Sequence, residues 1–541
     1  MRYLLLTALL LLPAAGRAQA PDFILTGGKI FTAEPARLYV QALAVRGERI
    51  VAVGSTAAIQ KLAGPHTRRI TLRGRVVVPG FNDAHAHLPQ GYPTGYFFEF
   101  PDAPMIPGPA PAAVLDTLVA LVRRVPPGTW LEAEVGLRVF NDPQLRRAAL
   151  DRVAPAHPVA LHTPWGHGCI YNSLALQQLG ISEASPDPLG GRYERQPGTG
   201  QLTGLLTEYA DWNARRNLQG RLPDSVWARQ LRQFGTEAVQ LGITSVQDMA
   251  SELPPAQMLR VTQLAHLPLR HRIIAFPMTT PAGIRYQEWR GLERHPAPLA
   301  RVDGVKYILD ATPLDTNAVR RRPYPGRPGW YGRLNFPPDT LRQLLRQALA
   351  SPQQLMLHVA GDSTAALVLS LMHELADDAT WRRKRVRFEH GDRLAPDLWP
   401  RARALGIVVV ENPTHYLNPA IDPAHAVPGG LRAPFRSLLA AGIPLAFGSD
   451  GPVNPGLNLL AAITLADKNE CLTREQAVRA YTAGAAYAEF EEEQKGTLAP
   501  GKLADLAVLS QDIFTVPTEA LPGTVSVLTM VDGRVVYEAG R

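Results

Sequence analysis

RVVVPGFNDAHAHL, residues 75–88, is the stretch from which the rest of the chain can be read. Three valines after Arg75 predict a buried strand, Pro79-Gly80 ends it, and His85 and His87 follow with one residue between them. In extended chain, side chains two apart point the same way, so the two imidazoles face one point from a rigid strand end. That is a metal-ligand arrangement. A bare HxH is more often a pair of solvated loop histidines, so the decision falls to its company.

Four more segments end a β-type run with a residue suited to such a site: Val305-Lys306, Leu355 to His358, Val386 to His390, and Leu445 to Asp450. The ordered set HxH, Lys, His, His, Asp spans most of the chain. PGFNDAHAHL, GVKYILD, LMLHVAGD, VRFEHGD and LAFGSDGPV together resemble the metal-dependent amidohydrolase superfamily, and within it the amidohydrolase-3 branch of YtcJ-like hydrolases. The resemblance covers nearly the whole mature chain.

The N-terminus reads as an address. Arg2, the apolar run Leu4 to Leu12, and Ala18-Gln19-Ala20 make the three-part pattern of a secretory signal over residues 1–20. The apolar run is too short for a membrane helix. The expectation is export to the periplasm or the extracellular space, with no stable membrane insertion after cleavage; an uncleaved N-terminal anchor is the weaker alternative. The chain has 541 residues, 46% hydrophobic and 19% charged, and can bury a large core. A net charge of +8 is mild at this length and argues against nucleic acid as a partner. Two cysteines, Cys169 and Cys471, make no disulfide framework and read as unpaired buried thiols.

Short strands with turn signals fill residues 21–79 and recur in 495–541, and neither set alone buries a face, so the two termini are expected to share one small β-sandwich. Between them, over 80–494, amphipathic helical runs alternate with apolar strands that end in polar residues. FRSLLAAG before IPLAFGSD is one example. This is the rhythm of an α/β fold with a parallel sheet, and a (β/α)8 TIM-like barrel explains how ligands so distant in sequence meet at one face. A doubly wound sheet is the alternative, weakened in its dinucleotide-binding form by the absence of GxGxxG after a strand.

Residues of about 91–222 break the rhythm and read as an insertion overhanging the site. Pro101 to Pro111 is rich in proline, and Ser185 to Gly204, rich in Gly, Pro and polar residues, reads as loop. Within the insertion, WGHGCIYNSLALQQLGI resembles a family segment with a histidine before NSxAL, which makes His167 a candidate substrate contact. A histidine satisfied by its own loop is the alternative. Glu208 reads as structural. Asp248, at the end of GITSVQDM, reads as a helix cap rather than a ligand. His415 and His425 are further candidate substrate contacts. Glu389, next to His390, should point away from the site by strand alternation.

Lys306 stands apart, because an ammonium cannot ligate a metal. Desolvation favours its amine form, and a neutral amine takes up carbon dioxide to give a carbamate. The resemblance implies that modification here, although Asp310 is followed by Ala311 where the family has Gly. Pairing of Lys306 with Asp303 or Asp310 is the alternative. The resemblance further implies two divalent metal ions: His85, His87 and Asp450 on one, His358 and His390 on the other, and carbamylated Lys306 between. Donors of nitrogen and oxygen without cysteine suit zinc first. Asp450 is the expected general base and then general acid for a metal-activated hydroxide.

The irregular loop TPLDTNAVRRRPYPGRPGWYGRLNFP, long and rich in arginine, reads as a lid or binding loop whose arginines either draw an anionic substrate or form a solvated face. The function expected is hydrolysis of a non-peptide or small amide C–N bond, of N-acyl or N-formyl amine type. Cyclic amides and dipeptides come next, followed by a lyase on the same barrel or a binding protein that keeps metal without turnover. No G-x-S-x-G marks a serine hydrolase. The expected partner is a small-molecule amide, with homodimerisation left open.

Overall fold

The computed structural model describes residues 19–89, 91–417 and 433–540. Its centre is a parallel sheet of eight strands: β1 (Phe81–Ala86), β2 (Ile243–Met249), β3 (Arg270–Ala275), β4 (Ala300–Ile308), β5 (Leu355–Val359), β6 (Arg387–His390), β7 (Val408–Glu411) and β8 (Leu445–Phe447). Each strand pairs with its sequence neighbour from β1 to β8, as a (β/α)8 barrel requires. β1, β2, β5, β6, β7 and β8 are buried at every position; β5, β7 and β8 read as apolar runs, LMLHV, VVVE and LAF, whereas β1, β2 and β6 bury polar side chains as well.

β8 meets β1 by the chain just past its end. Asp450 N donates to His85 O at 2.8 Å and Ser449 N to Asp83 Oδ1 at 2.9 Å. Gly448 makes this approach possible, since a Cβ there would stand 2.4 Å from the His85 nitrogen. The closure holds the two ends of the ligand set against each other.

Helices cover the barrel with apolar stripes. Pro338–Ala350 starts with proline at its first turn, where the missing N–H costs nothing, and buries Leu341, Leu344, Leu345 and Ala348 at spacings of three and four. Helices Asp224–Gln240, Pro255–Ala265, Asp362–Leu375, Trp399–Leu405 and Phe435–Ala440 precede β2, β3, β6, β7 and β8 in the same way.

Both termini build the outer sheets. Four N-terminal strands form one sheet, and Lys29–Phe31, Tyr39–Val40 and Val76–Pro79 join Leu506–Leu509, Ser526–Val531 and Arg534–Glu538 in a mixed sheet of six. Leu25, Leu43 and Val77 share one core with Leu506 and Met530 across the chain's length.

The stretch after β1 carries a sheet of its own, six strands from Tyr96–Phe97 to Leu202–Glu208 with helices Pro111–Leu121, Arg147–Val153 and Ser173–Leu179. This corrects the loop reading of Ser185 to Gly204, where Gly191–Arg195 pairs antiparallel with Leu202–Glu208. The glycines sit at the hairpin's turn and edge, and composition hid the strand between them. Cys169 is buried, whereas Cys471 is partly exposed, which corrects half of that reading; both are free thiols. No helix of the described residues is long and apolar enough to cross a membrane.

Candidate metal centre

His85 and His87 come from the end of β1, Lys306 from β4, His358 from β5, His390 from β6, and Asp450 lies just beyond β8. All meet at the C-terminal mouth. The Asp450 carboxylate is the hub: Oδ1 stands 3.7 Å from His85 Nε2 and 3.6 Å from His87 Nε2. Oδ2 stands 3.9 Å from His390 Nε2 and 3.8 Å from His415 Nε2. Lys306 Nζ lies 2.9 Å from His85 Nε2. The His358 and His390 rings meet edge to face with centroids 4.4 Å apart, and among the described residues the buried His358 Nε2 has no partner.

Among the described residues there are two groups whose ligand atoms lie within 4.8 Å of one another, His85-His87-Asp450 and His390-His415-Asp450. The first is the group expected. In the second, His415 stands where the resemblance places His358. His415 reaches the mouth from a single turn, Pro413–Tyr416, after β7. His425 lies outside the described residues.

Backbone conformation corrects the expectation for Glu389. His390 has φ 72° and Gly391 φ 67°, so the strand's alternation stops at Glu389 and the turn re-aims the histidine. Glu389 therefore points inward as well, and its Oε2 lies 2.7 Å from His85 Nδ1. A carboxylate on Nδ1 fixes the ring and leaves Nε2 free for the site. Arg387 holds Glu389 from below through Nε at 2.7 Å and Nη2 at 3.0 Å. On the other rings, His87 Nδ1 lies 2.7 Å from Ser251 Oγ, and Asn412 Nδ2 lies 3.1 Å from His390 Nδ1. Sequence reading missed Ser251 and Asn412, although both are polar residues at strand ends.

Burial lowers the pKa of His85, and lowers His358 and His390 well below the ordinary histidine value, so all three favour the neutral ring that a metal needs. Burial also lowers the Lys306 ammonium to about 8, against the opposing pull of Asp450 and Glu389. Neither acid proposed as its partner is there. Asp303 pairs with Arg272 at 3.1 Å, and Asp310 accepts from the Ala360, Gly361 and Val319 N–H groups and the Thr364 hydroxyl. Asp248 caps no helix: it accepts from Leu88 N at 2.9 Å and lies 3.1 Å from His271 Nε2, tying β1 to β2 and β3.

The insertion adds His167, whose ring centroid is 5.1 Å from that of His358. Burial works against its charged form, but Glu208 at 2.8 Å from Nδ1 outweighs that and raises the imidazole above its ordinary value. Glu208, read as structural, thus holds His167, and Asn335 of the long loop holds Glu208 at 2.8 Å. That loop has no helix or strand of its own from Ala311 to Pro337, as expected. Its arginines are partly engaged elsewhere, Arg321 with Asp397 at 2.9 Å and Arg320 over the Tyr324 ring.

Imidazoles from β1, β5, β6 and the turn after β7, with one carboxylate and no thiol, fit divalent ions that take nitrogen and oxygen. The unpartnered, buried His358 Nε2 fits the same account, because a lone pair left bare there is costly without a cation.

The model of the amidohydrolase family matches residues 68–537. Protein LONG AFTER FAR-RED 3 of Arabidopsis thaliana is 28% identical over 95% of this chain and 91% of its own length. YtcJ of Bacillus subtilis is 25% identical over 95% and 98%, and the N-substituted formamide deformylase of Arthrobacter pascens 26% identical over 96% and 99%. Among solved structures, an uncharacterized metal-dependent hydrolase from Pyrococcus horikoshii superposes with a TM-score of 0.68 at 19% identity, over 92% of this chain and 99% of that one, a likeness of fold. With the barrel and its ordered donor set, these matches place the chain in the amidohydrolase family, in its YtcJ-like branch, as a metal-dependent hydrolase of carbon–nitrogen bonds.

Proposed function

We propose that the protein is exported and hydrolyses small N-acyl amines, N-substituted formamides first. The observation that carries the chemistry is the Asp450 carboxylate among four imidazole Nε2 atoms at 3.6 to 3.9 Å. The formyl preference is supported by the deformylase relative, whose 26% identity runs the length of both chains. Export is supported by the signal pattern of residues 1–20.

His85, His87, Lys306, His358, His390 and Asp450 would hold two divalent ions, zinc first, which would supply Lewis acidity to the amide carbonyl and acidity to water. The protein's own groups do the rest. Lys306 would enter as a carbamate: the ammonium gives up one proton, and the neutral amine adds carbon dioxide and releases a second, so that a cation becomes an anion. Burial that brings the ammonium to about 8 favours the amine this requires. Asp450 takes a proton from the attacking water and delivers it to the leaving nitrogen as the C–N bond breaks, so formamide and water become formic acid and amine. His167, backed by Glu208, and His415, beside Asp450 Oδ2, flank the substrate.

The test is metal analysis of protein purified in bicarbonate without chelator, with a panel of N-substituted formamides and acetamides assayed for formate and acetate. Two ions per chain, a marked loss in Lys306→Ala, and formate release are expected. Metal-replete protein that releases neither acid sinks the substrate class. One ion, unchanged in Lys306→Ala, sinks the carbamate bridge.

A further inference from the structure

We infer that Ser251 and Glu252 are positioning residues that set the tautomer of His87; the inference rests on the metal role of His87 proposed above. A neutral imidazole carries one proton, and its neighbours decide which nitrogen holds it. His85 is simple, because Glu389 only accepts and so Nδ1 must donate.

His87 has no carboxylate on Nδ1. Its partner is the Ser251 hydroxyl at 2.7 Å, which is able to donate or to accept. Glu252 removes the choice. Its Oε1 lies 2.8 Å from the same hydroxyl and can only accept, so the single hydroxyl proton goes to Glu252. Toward His87 the oxygen is left as an acceptor. His87 then carries its proton on Nδ1 and presents the Nε2 lone pair 3.6 Å from Asp450 Oδ1.

The relay is anchored in the insertion. Arg215 Nη1 lies 3.7 Å from Glu252 Oε2, Arg215 Nε lies 3.3 Å from Asp211, and Arg215 Nη2 donates to Gly166 O at 3.2 Å. Ser251 is 3% exposed and the Glu252 side chain 11%, so water competes little for either. The insertion thus reaches a ligand through four side chains in series. Outer partners of this kind carry about 10- to 100-fold in metal affinity.

The experiment is zinc affinity by chelator competition on the full-length protein and on Ser251→Ala, Ser251→Thr, Glu252→Ala and Glu252→Gln. Ser251→Ala is expected to weaken zinc about 10- to 100-fold and Glu252→Ala by less. Ser251→Thr keeps the hydroxyl and Glu252→Gln keeps a carbonyl acceptor, so both should stay near the parent. Parent-like affinity in Ser251→Ala overturns the inference, and so does Ser251→Thr as weak as Ser251→Ala. Loss in Ser251→Ala with no change in Glu252→Ala removes Glu252 from the relay. A parent that takes up no zinc strikes the metal reading itself, so the two failures are told apart.

Discussion

The barrel buries polar clusters at both ends, and they are built on opposite terms. At the N-terminal end, where the strands begin, the buried charges pair with one another, although Arg272 Nε and Arg301 Nε have no hydrogen-bond partner among the described residues. Glu489 takes Lys495 at 2.8 Å, Arg301 at 2.7 Å and the Asn82 amide at 2.7 Å. Arg387 is spent on Glu389 and on Ala84 O at 2.7 Å. At the C-terminal mouth, burial disfavours the charged forms of His85, His87, His358 and His390 around the Asp450 carboxylate, and His358 Nε2 has no partner among the described residues. His390 and Asp450 also hold left-handed backbone, φ 72° and 48°. A buried polar cluster completed by its own chain holds a fold; one left open and strained is held for a ligand.

The sharpest test of that contrast sets Asp450→Asn against Arg387→Ala. At the mouth, loss of the proton carrier should lower kcat by about 10²- to 10⁴-fold on the best formamide, with the unfolding midpoint in urea unchanged or raised. At the base, Arg387→Ala leaves Glu389 without its charge partner, and an uncompensated buried ion costs about 3–5 kcal/mol. Its urea midpoint should fall well below that of Asp450→Asn. Equal midpoints in the two variants would erase the distinction between the ends.

The base should also set acid stability. Burial pushes Glu489 up, but Lys495, Arg301 and Arg272 more than offset it and hold the carboxyl at about 2, against 4.5 when unfolded. A depressed folded pKa adds stability that is present above the unfolded value and is lost as pH falls from 4.5 toward 2. The amount is on the order of 3 kcal/mol. Urea midpoints followed from pH 6 down should drop in that window for the parent, and Glu489→Gln should be less stable at pH 6 with a flatter profile. Parallel profiles would place the acid-sensitive charge elsewhere.

The contrast also explains what the sequence let one read. Where a fully buried barrel strand is spelled by apolar residues, as in LMLHV and VVVE, a polar residue near its end breaks the spelling, and His85, His87, Lys306, His358, His390 and Asp450 were legible as an ordered set rather than one by one. Glu389 was misplaced because alternation assumes that the strand continues, and one left-handed residue at His390 ends it. The hairpin strand Gly191–Arg195 was hidden by glycines and polar residues that composition assigns to loop. Ser251, Glu252 and Asn412 carry no pattern in sequence, because what they do depends on which ring nitrogen they face. The charges of the base were invisible for the same reason: Asn82 and Glu489 are 407 residues apart in sequence.

The smallest effect probes the mouth's incompleteness at a single atom. Asn412 turns its Nδ2 to His390 Nδ1 at 3.1 Å, while its buried Oδ1 has no partner among the described residues. A half-turn of the amide exchanges the two ends. Oδ1 then accepts from His390 Nδ1–H, the orphaned oxygen is satisfied, and Nε2 keeps its lone pair for a cation. Zinc binding should therefore select the turned amide. Asn412→Asp offers only acceptors and should hold zinc at least as well as the parent. Asn412→Leu, of similar volume but with neither donor nor acceptor, should weaken it about tenfold, on the order of 1.4 kcal/mol. Asn412→Leu with parent affinity would mean that His390 is oriented by packing alone, and the mouth would then resemble the base more closely than its open atoms imply.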